Sequence, residues 1–159
     1  MLQLDEKFSR LFRSGNPTAC NQLLDESPPG RNQEEKHSIA YWRAVLLDHE
    51  GRHAEALAVL NASASGFNCQ SLFALKKAEV LRSLDRILEA IAALRAAPIA
   101  QEVATFPGLA WEAAYFCCYL MAKQGEAPPK DLLDLIPDDF ETVLDGRFIA
   151  KSNLTDGRL

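Results

Sequence analysis

The residue types that could most directly do chemistry sit in one pentapeptide, His49-Glu50-Gly51-Arg52-His53. His-Glu-x-x-His is the zinc-binding signature of many metallopeptidases. Histidines four apart share one helical face and grip a single metal, while the glutamate polarises a bound water. That chemistry needs an unbroken helix through all five residues, and Gly51 is a breaker at its centre. The remaining histidine, His37, lies about three helical turns upstream, too far to complete a site. Acidic third ligands are unmarked. Neither a glycine-rich phosphate loop nor a Gly-x-Ser-x-Gly elbow occurs. The paired acids Asp138-Asp139 follow Pro137 and fit turn capping. Cys20 and Cys69 stand alone, and Cys117 and Cys118 are adjacent in an apolar run, so no Cys-x-x-Cys pair exists. They are read as buried thiols acting as small apolar residues. No catalytic residue, metal or cofactor is therefore expected, and the chain is read as a non-enzyme.

The elements that would position these residues emerge from self-comparison. A shift of 34 positions aligns residues 39–64 with 73–98, and nine of the 26 pairs are identical. They are Ala40/Ala74, Ala44/Ala78, Leu47/Leu81, Arg52/Arg86, Glu55/Glu89, Ala56/Ala90, Ala58/Ala92, Leu60/Leu94 and Ala62/Ala96. Ile39, Trp42, Leu46 and Leu47 recur at helical spacing before Gly51, and Ala56, Leu57 and Leu60 follow with the same period. The unit is a helix, a tight turn and a second helix, with alanines where two backbones must approach closely. One such hairpin cannot bury its apolar faces alone, so neighbours must stack. The repeat also places Gly51 in the turn, so His49 ends one helix and His53 begins the next. The equivalents 34 residues on, Ser83 to Ile87, carry no metal chemistry.

Residues 39–98 thus resemble two tetratricopeptide repeats, through Ala44, Leu47, Gly51, Ala56 and Leu60, then Ala78, Leu81, Ala90, Leu94 and Pro98. Asp85 replaces the turn glycine in the second unit. Arg43 and Lys77 stand where the family usually has leucine, so their stems should lie along apolar surface with charges outward. Weaker units flank this pair. Phe8, Leu11 and Phe12 precede Gly15, and Asn16-Pro17 opens a helix with Cys20, Leu23 and Leu24. Residues 109–124 carry bulky groups on nearly every side and should be buried. Asp131 to Ile136 is expected to be a short helix, and segments 27–33 and 99–108 connectors. The expected fold is all-α, an antiparallel helix-pair (TPR-like) solenoid of about four units forming a single domain over 1–159. A C-terminal appendage, 137–159, includes Asp145-Gly146 between β-branched and aromatic residues, the pattern of a type I′ β-hairpin or, failing that, a loop.

The resemblance implies a superhelical stack whose inner groove binds a protein or peptide. Transferred residue by residue, groove positions are Tyr41, Val45, Asp48 and His49, then Leu75, Glu79 and Arg82, then Tyr115, Tyr119 and Lys123. Tyr115 and Tyr119 read as core in preference to groove, and Asp48 and Glu79 read equally as solvated helix residues. The net charge is -5, with no Lys/Arg run to track a phosphate backbone, which argues against nucleic acid or an anionic membrane as partner. No apolar stretch reaches the roughly 20 residues of a membrane span, and no signal-peptide pattern is seen, so a cytoplasmic location is expected. Three functions follow. A protein-binding adaptor or chaperone, similar in size and repeat count to bacterial secretion chaperones, is preferred. An immunity or inhibitor protein that neutralises a toxin, by a charged convex face or the C-terminal hairpin, is the alternative. A self-associating subunit, a homodimer through the Trp111–Met121 surface, is the third. Zinc metallopeptidase ranks last.

Overall fold

The computed structural model describes residues 2–27, 32–63 and 68–159, which form ten helices and one two-stranded antiparallel sheet. The chain divides into two compact units, Met1–Asn68 and Cys69–Leu159.

The first unit holds four helices: α1 (Leu2–Arg13), α2 (Pro17–Glu26), α3 (Gln33–His49) and α4 (His53–Ser63). Local chemistry sets their starts. Pro17 occupies the first turn of α2, where its missing N–H costs nothing, and the Asn16 side chain accepts from Ala19 N at 3.0 Å. Asn32 likewise accepts from Glu35 N at 2.9 Å, and Glu34 and Glu35 place negative charge at the positive end of α3. Phe8, Cys20, Leu24 and Leu46 make the core between α1, α2 and α3, and Phe8 stacks on Trp42 with ring centres 4.5 Å apart. The indole N–H of Trp42 donates to Asp5 at 2.6 Å, which satisfies its polar end. The Arg43 guanidinium pairs with Asp25 at 3.1 Å. Of the connector at 27–33, residues 28–31 lie outside the described residues.

The second unit contains α5 (Gln70–Ser83), α6 (Ile87–Ala96), α7 (Ile99–Glu102), α8 (Pro107–Lys123), α9 (Lys130–Leu133), β1 (Glu141–Leu144), β2 (Arg147–Ala150) and α10 (Lys151–Asp156). Its centre is α8, in which Ala110 and every residue from Ala113 to Leu120 are buried, as a helix apolar on all sides requires. α5, α6 and α7 pack on it, and so do α9 and α10. Three local expectations need correction. Segment 99–108 is not merely a connector, because its first four residues form α7. The short helix expected over Asp131–Ile136 is instead Lys130–Leu133. α10 also appears where no helix was expected, its N-terminal backbone N–H (Ala150) bonded to Asn153 at 2.8 Å and Leu154 buried.

The 34-residue repeat is reproduced atom by atom at its turns. After α3, Gly51 N donates to Asp48 O (3.0 Å) and Arg52 N to Leu47 O (2.8 Å). After α5, Asp85 N donates to Arg82 O and Arg86 N to Leu81 O, both at 2.9 Å. This is the Schellman pattern, which requires a left-handed residue, and Gly51 (φ 77°) and Asp85 (φ 59°) supply it. Each turn is followed by a bidentate arginine–glutamate clamp, Arg52 on Glu55 (2.8 and 2.6 Å) and Arg86 on Glu89 (2.7 and 2.6 Å). The same pair of turn hydrogen bonds recurs at Gly15-Asn16 and Gly125-Glu126. Ala44, Ala56, Ala78 and Ala90 are all fully buried, which places the small residues where the paired helices meet.

The hairpin forms. Glu141 pairs with Ala150, Thr142 with Ile149, Val143 with Phe148 and Leu144 with Arg147. Asp145 (φ 51°) and Gly146 (φ 73°) are both left-handed, as the type I′ turn demands. Ile149 is buried, and Lys151 ties the base of the hairpin to Ile136 O (2.7 Å) and Asp138 (2.8 Å).

Candidate functional site

The His-Glu-x-x-His pentapeptide is divided between two helices. His49 is the last residue of α3, Gly51 sits in left-handed conformation, and His53 is the first residue of α4. The His53 ring nitrogen Nδ1 lies 2.7 Å from Asp48 Oδ1, and His49 meets the Phe12 ring edge-on at 5.2 Å. Glu50 accepts from Asn21 and pairs with Arg52. Each of the three side chains thus has a separate local contact. Among the described residues no group of three or more His, Cys, Asp or Glu side chains is placed to hold a metal ion.

The expected partner-facing positions fall in both units. On α3, Tyr41, Val45 and Asp48 are half-buried and His49 is exposed. Their spacing of four, three and one puts them along one helical stripe. On α5, Leu75 is half-buried, Glu79 is exposed and paired with Lys76 at 3.1 Å, and Arg82 is half-buried. On α8, Tyr115 and Tyr119 are buried and Lys123 is exposed.

Four of these residues in the second unit are brought together by the C-terminal hairpin. Asp145, at the hairpin tip, pairs with Arg82 at 2.9 Å and accepts from the Tyr119 hydroxyl at 2.5 Å. The Tyr115 hydroxyl donates to Ala150 O at 2.8 Å, at the far end of β2. Lys123 lies 5.5 Å from the centre of the Tyr119 ring, and Arg82 lies 5.5 Å from that of Phe116. Phe140, just before β1, contacts both Trp111 and Tyr115. The hairpin is therefore fastened to α5 and α8 at its tip and to α8 at its far end, through Arg82, Tyr119 and Tyr115, three of the positions expected to face a partner.

The electrostatics follow from this packing. Donation by Tyr119 holds the Asp145 carboxyl below the usual carboxylate range, with Arg82 and Lys123 assisting. Burial raises the Tyr119 hydroxyl, and its hydrogen bond to Asp145 adds to that. Burial pushes Tyr115 up to about 12. Burial also pushes the Cys117 and Cys118 thiols up to about 11 and about 12, so neither is a nucleophile near neutral pH.

A second polar site involves residues with no local sequence signal. Glu102, on α7, is only 8 % exposed. Its carboxylate accepts from Gln70 N (2.7 Å) and Ser71 N (2.8 Å), and the Cys69 thiol lies 3.7 Å away. It caps the start of α5 from 32 residues downstream, where Cys69 supplies no side-chain cap of its own. The buried Ser71 hydroxyl beside it has no hydrogen-bond partner among the described residues.

No protein family, curated protein or solved structure matches the chain.

Proposed function

We propose that this protein is a non-catalytic scaffold of TPR-like helical hairpins, an adaptor or chaperone that holds a protein or peptide partner. One observation carries the reading: the turn and its arginine–glutamate clamp recur 34 residues apart with hydrogen bonds matching to within 0.2 Å. Repetition of a structural unit with conserved turn chemistry but varied first-helix residues is how repeat proteins build binding surfaces. The varied positions here are Tyr41/Leu75, Val45/Glu79 and Asp48/Arg82. In the first unit a partner would find apolar contact at Tyr41 and Val45 and a polar contact at His49, and in the second unit apolar contact at Leu75 and charge contact at Glu79 and Lys123. In the second unit Tyr115 and Tyr119 are buried and hold the hairpin through Ala150 and Asp145.

The test is co-purification from the native host of the wild-type protein, the double variant Tyr41→Ala/Leu75→Ala and the charge variant Glu79→Lys. A stoichiometric protein partner, weakened at least about tenfold by the double variant, is expected. A partner bound equally by all three proteins would remove the assigned surface. A chain that purifies alone, or one that turns over a peptide or other substrate, would remove the scaffold reading itself.

A further inference from the structure

Among the described residues three large hydrophobic side chains are exposed, Leu88 alone on α6 and two together on the outward face of the C-terminal hairpin. Phe148 is 84 % exposed and Val143 is 52 % exposed, and the two are directly opposed in the ladder. In a two-residue hairpin the pair next to the turn exchanges hydrogen bonds. Val143–Phe148 is the following, non-hydrogen-bonded pair, whose side chains stand closest together. They form one continuous apolar patch, not scattered single residues. The opposite face of the same strands carries Ile149, which is buried, so the register is fixed and the exposed ring is not a slipped core residue.

Glu141 shares the outward face, two residues from Val143 and diagonal to Phe148 through its pairing with Ala150. Its carboxylate is exposed and makes no ion pair among the described residues, whereas Asp138 and Asp145 nearby are paired with Lys151 and Arg82. An aromatic face next to an unpaired carboxylate offers a guanidinium or ammonium both ring and charge contact. The apolar ring and valine in turn accept an aliphatic anchor. The overall charge of -5 attracts the same kind of partner at a distance. A second copy of this chain is disfavoured as occupant, because apposing two such faces brings Glu141 against Glu141 and one acidic molecule against another.

We propose that the Val143–Phe148–Glu141 face is a docking surface for a basic, apolar-anchored protein segment, separate from the helical positions assigned above. Phe148 is the anchor, and Glu141 sets the preference for arginine or lysine beside it. The hairpin's attachment through Asp145, Tyr115 and Ile149 holds this face rigid, so little ordering cost is incurred on binding.

The test uses the full chain, isotope-labelled, titrated with a five-residue peptide alternating arginine and leucine and followed by amide chemical shifts. Shifts are expected to concentrate at Glu141–Val143 and Phe148–Ala150. Phe148→Ala should weaken the peptide at least about tenfold, and Glu141→Gln about threefold with a smaller salt dependence. Unchanged protection of the Ile149 amide in both variants would show that the hairpin remains docked. The proposal is overturned by shifts that map to other acidic surfaces, such as Glu50 and Glu55 or Asp5 and Glu6. Equal binding to Phe148→Ala, or no shift at millimolar peptide, would also overturn it. So would concentration-dependent broadening of the same amides without peptide, which would mark self-association.

Discussion

Replacing Glu102 with alanine should destabilise the second unit more than any comparable change at a charged residue elsewhere in that unit. The carboxylate is almost fully buried and takes two backbone N–H groups at the start of α5. Without it the Ser71 amide is left buried and unbonded, while the Gln70 amide is partly accessible and can be rehydrated. A charge-assisted hydrogen bond to a buried donor contributes about 1.5–3 kcal/mol, and a negative charge at a helix N-terminus adds up to about 1 kcal/mol. The expected loss is about 3 kcal/mol, or a drop in melting temperature of about 12–24 °C for a unit of this size. Glu102→Gln keeps an acceptor but not the charge and should lose about 1–2 kcal/mol. The neighbouring Ser71→Ala removes a hydroxyl that has no partner and should be neutral or stabilising by about 1 kcal/mol. Urea denaturation measures all three, and amide exchange at Gln70 and Ser71 locates the effect. Should Glu102→Ala lose less than about 1 kcal/mol, or Ser71→Ala lose more than that, the long-range cap would not be what holds the start of α5.

Three other outcomes are expected. Because Tyr119 and Arg82 lower the Asp145 carboxyl, its contribution to hairpin docking is complete above the ordinary aspartate value near 4 and is lost as pH falls through the lowered folded value. Hairpin amide protection should therefore fall on acidification below about pH 4, and that Asp145-dependent component should be absent in Asp145→Asn. Gly51→Ala should cost about 1 kcal/mol, since the site has open space but a left-handed backbone, whereas Asp85→Gly should stabilise by roughly 0.5 kcal/mol. Chemical denaturation of the two variants tests both signs. Cys117 and Cys118 should resist a thiol-reactive dye at pH 8 in the folded protein and react fully in urea; rapid native labelling would contradict their burial.

The helical pairs were legible because their determinants are local. Gly51, Ala56 and Leu60 recur as Asp85, Ala90 and Leu94, and Asn16-Pro17 and Asp145-Gly146 each specify their turn within two residues. The split of His49 from His53 followed from the same repeat. Glu102 was not legible, since its partners are backbone amides 31 and 32 residues away and nothing beside it in sequence marks a cap. Nor could periodicity show that Arg82 and Tyr119 meet Asp145, because one helical stripe serves equally for a partner and for the chain's own hairpin. The exposure of Phe148 was equally hidden: alternation defines two faces of a strand without saying which one meets the helices.

The all-round apolar character of α8 has a consequence for biosynthesis. α5, α6 and α7 precede it and can cover part of its surface as it leaves the ribosome, but α9, the hairpin and α10 lie in residues that emerge after it. At about 5–20 residues per second, residues 124–156 take on the order of seconds to follow. During that interval Tyr115 and Tyr119 lack Ala150 and Asp145, and part of an apolar helix faces solvent. Apolar surface left uncovered in this way favours aggregation, and slow codons beyond residue 123 would lengthen that interval.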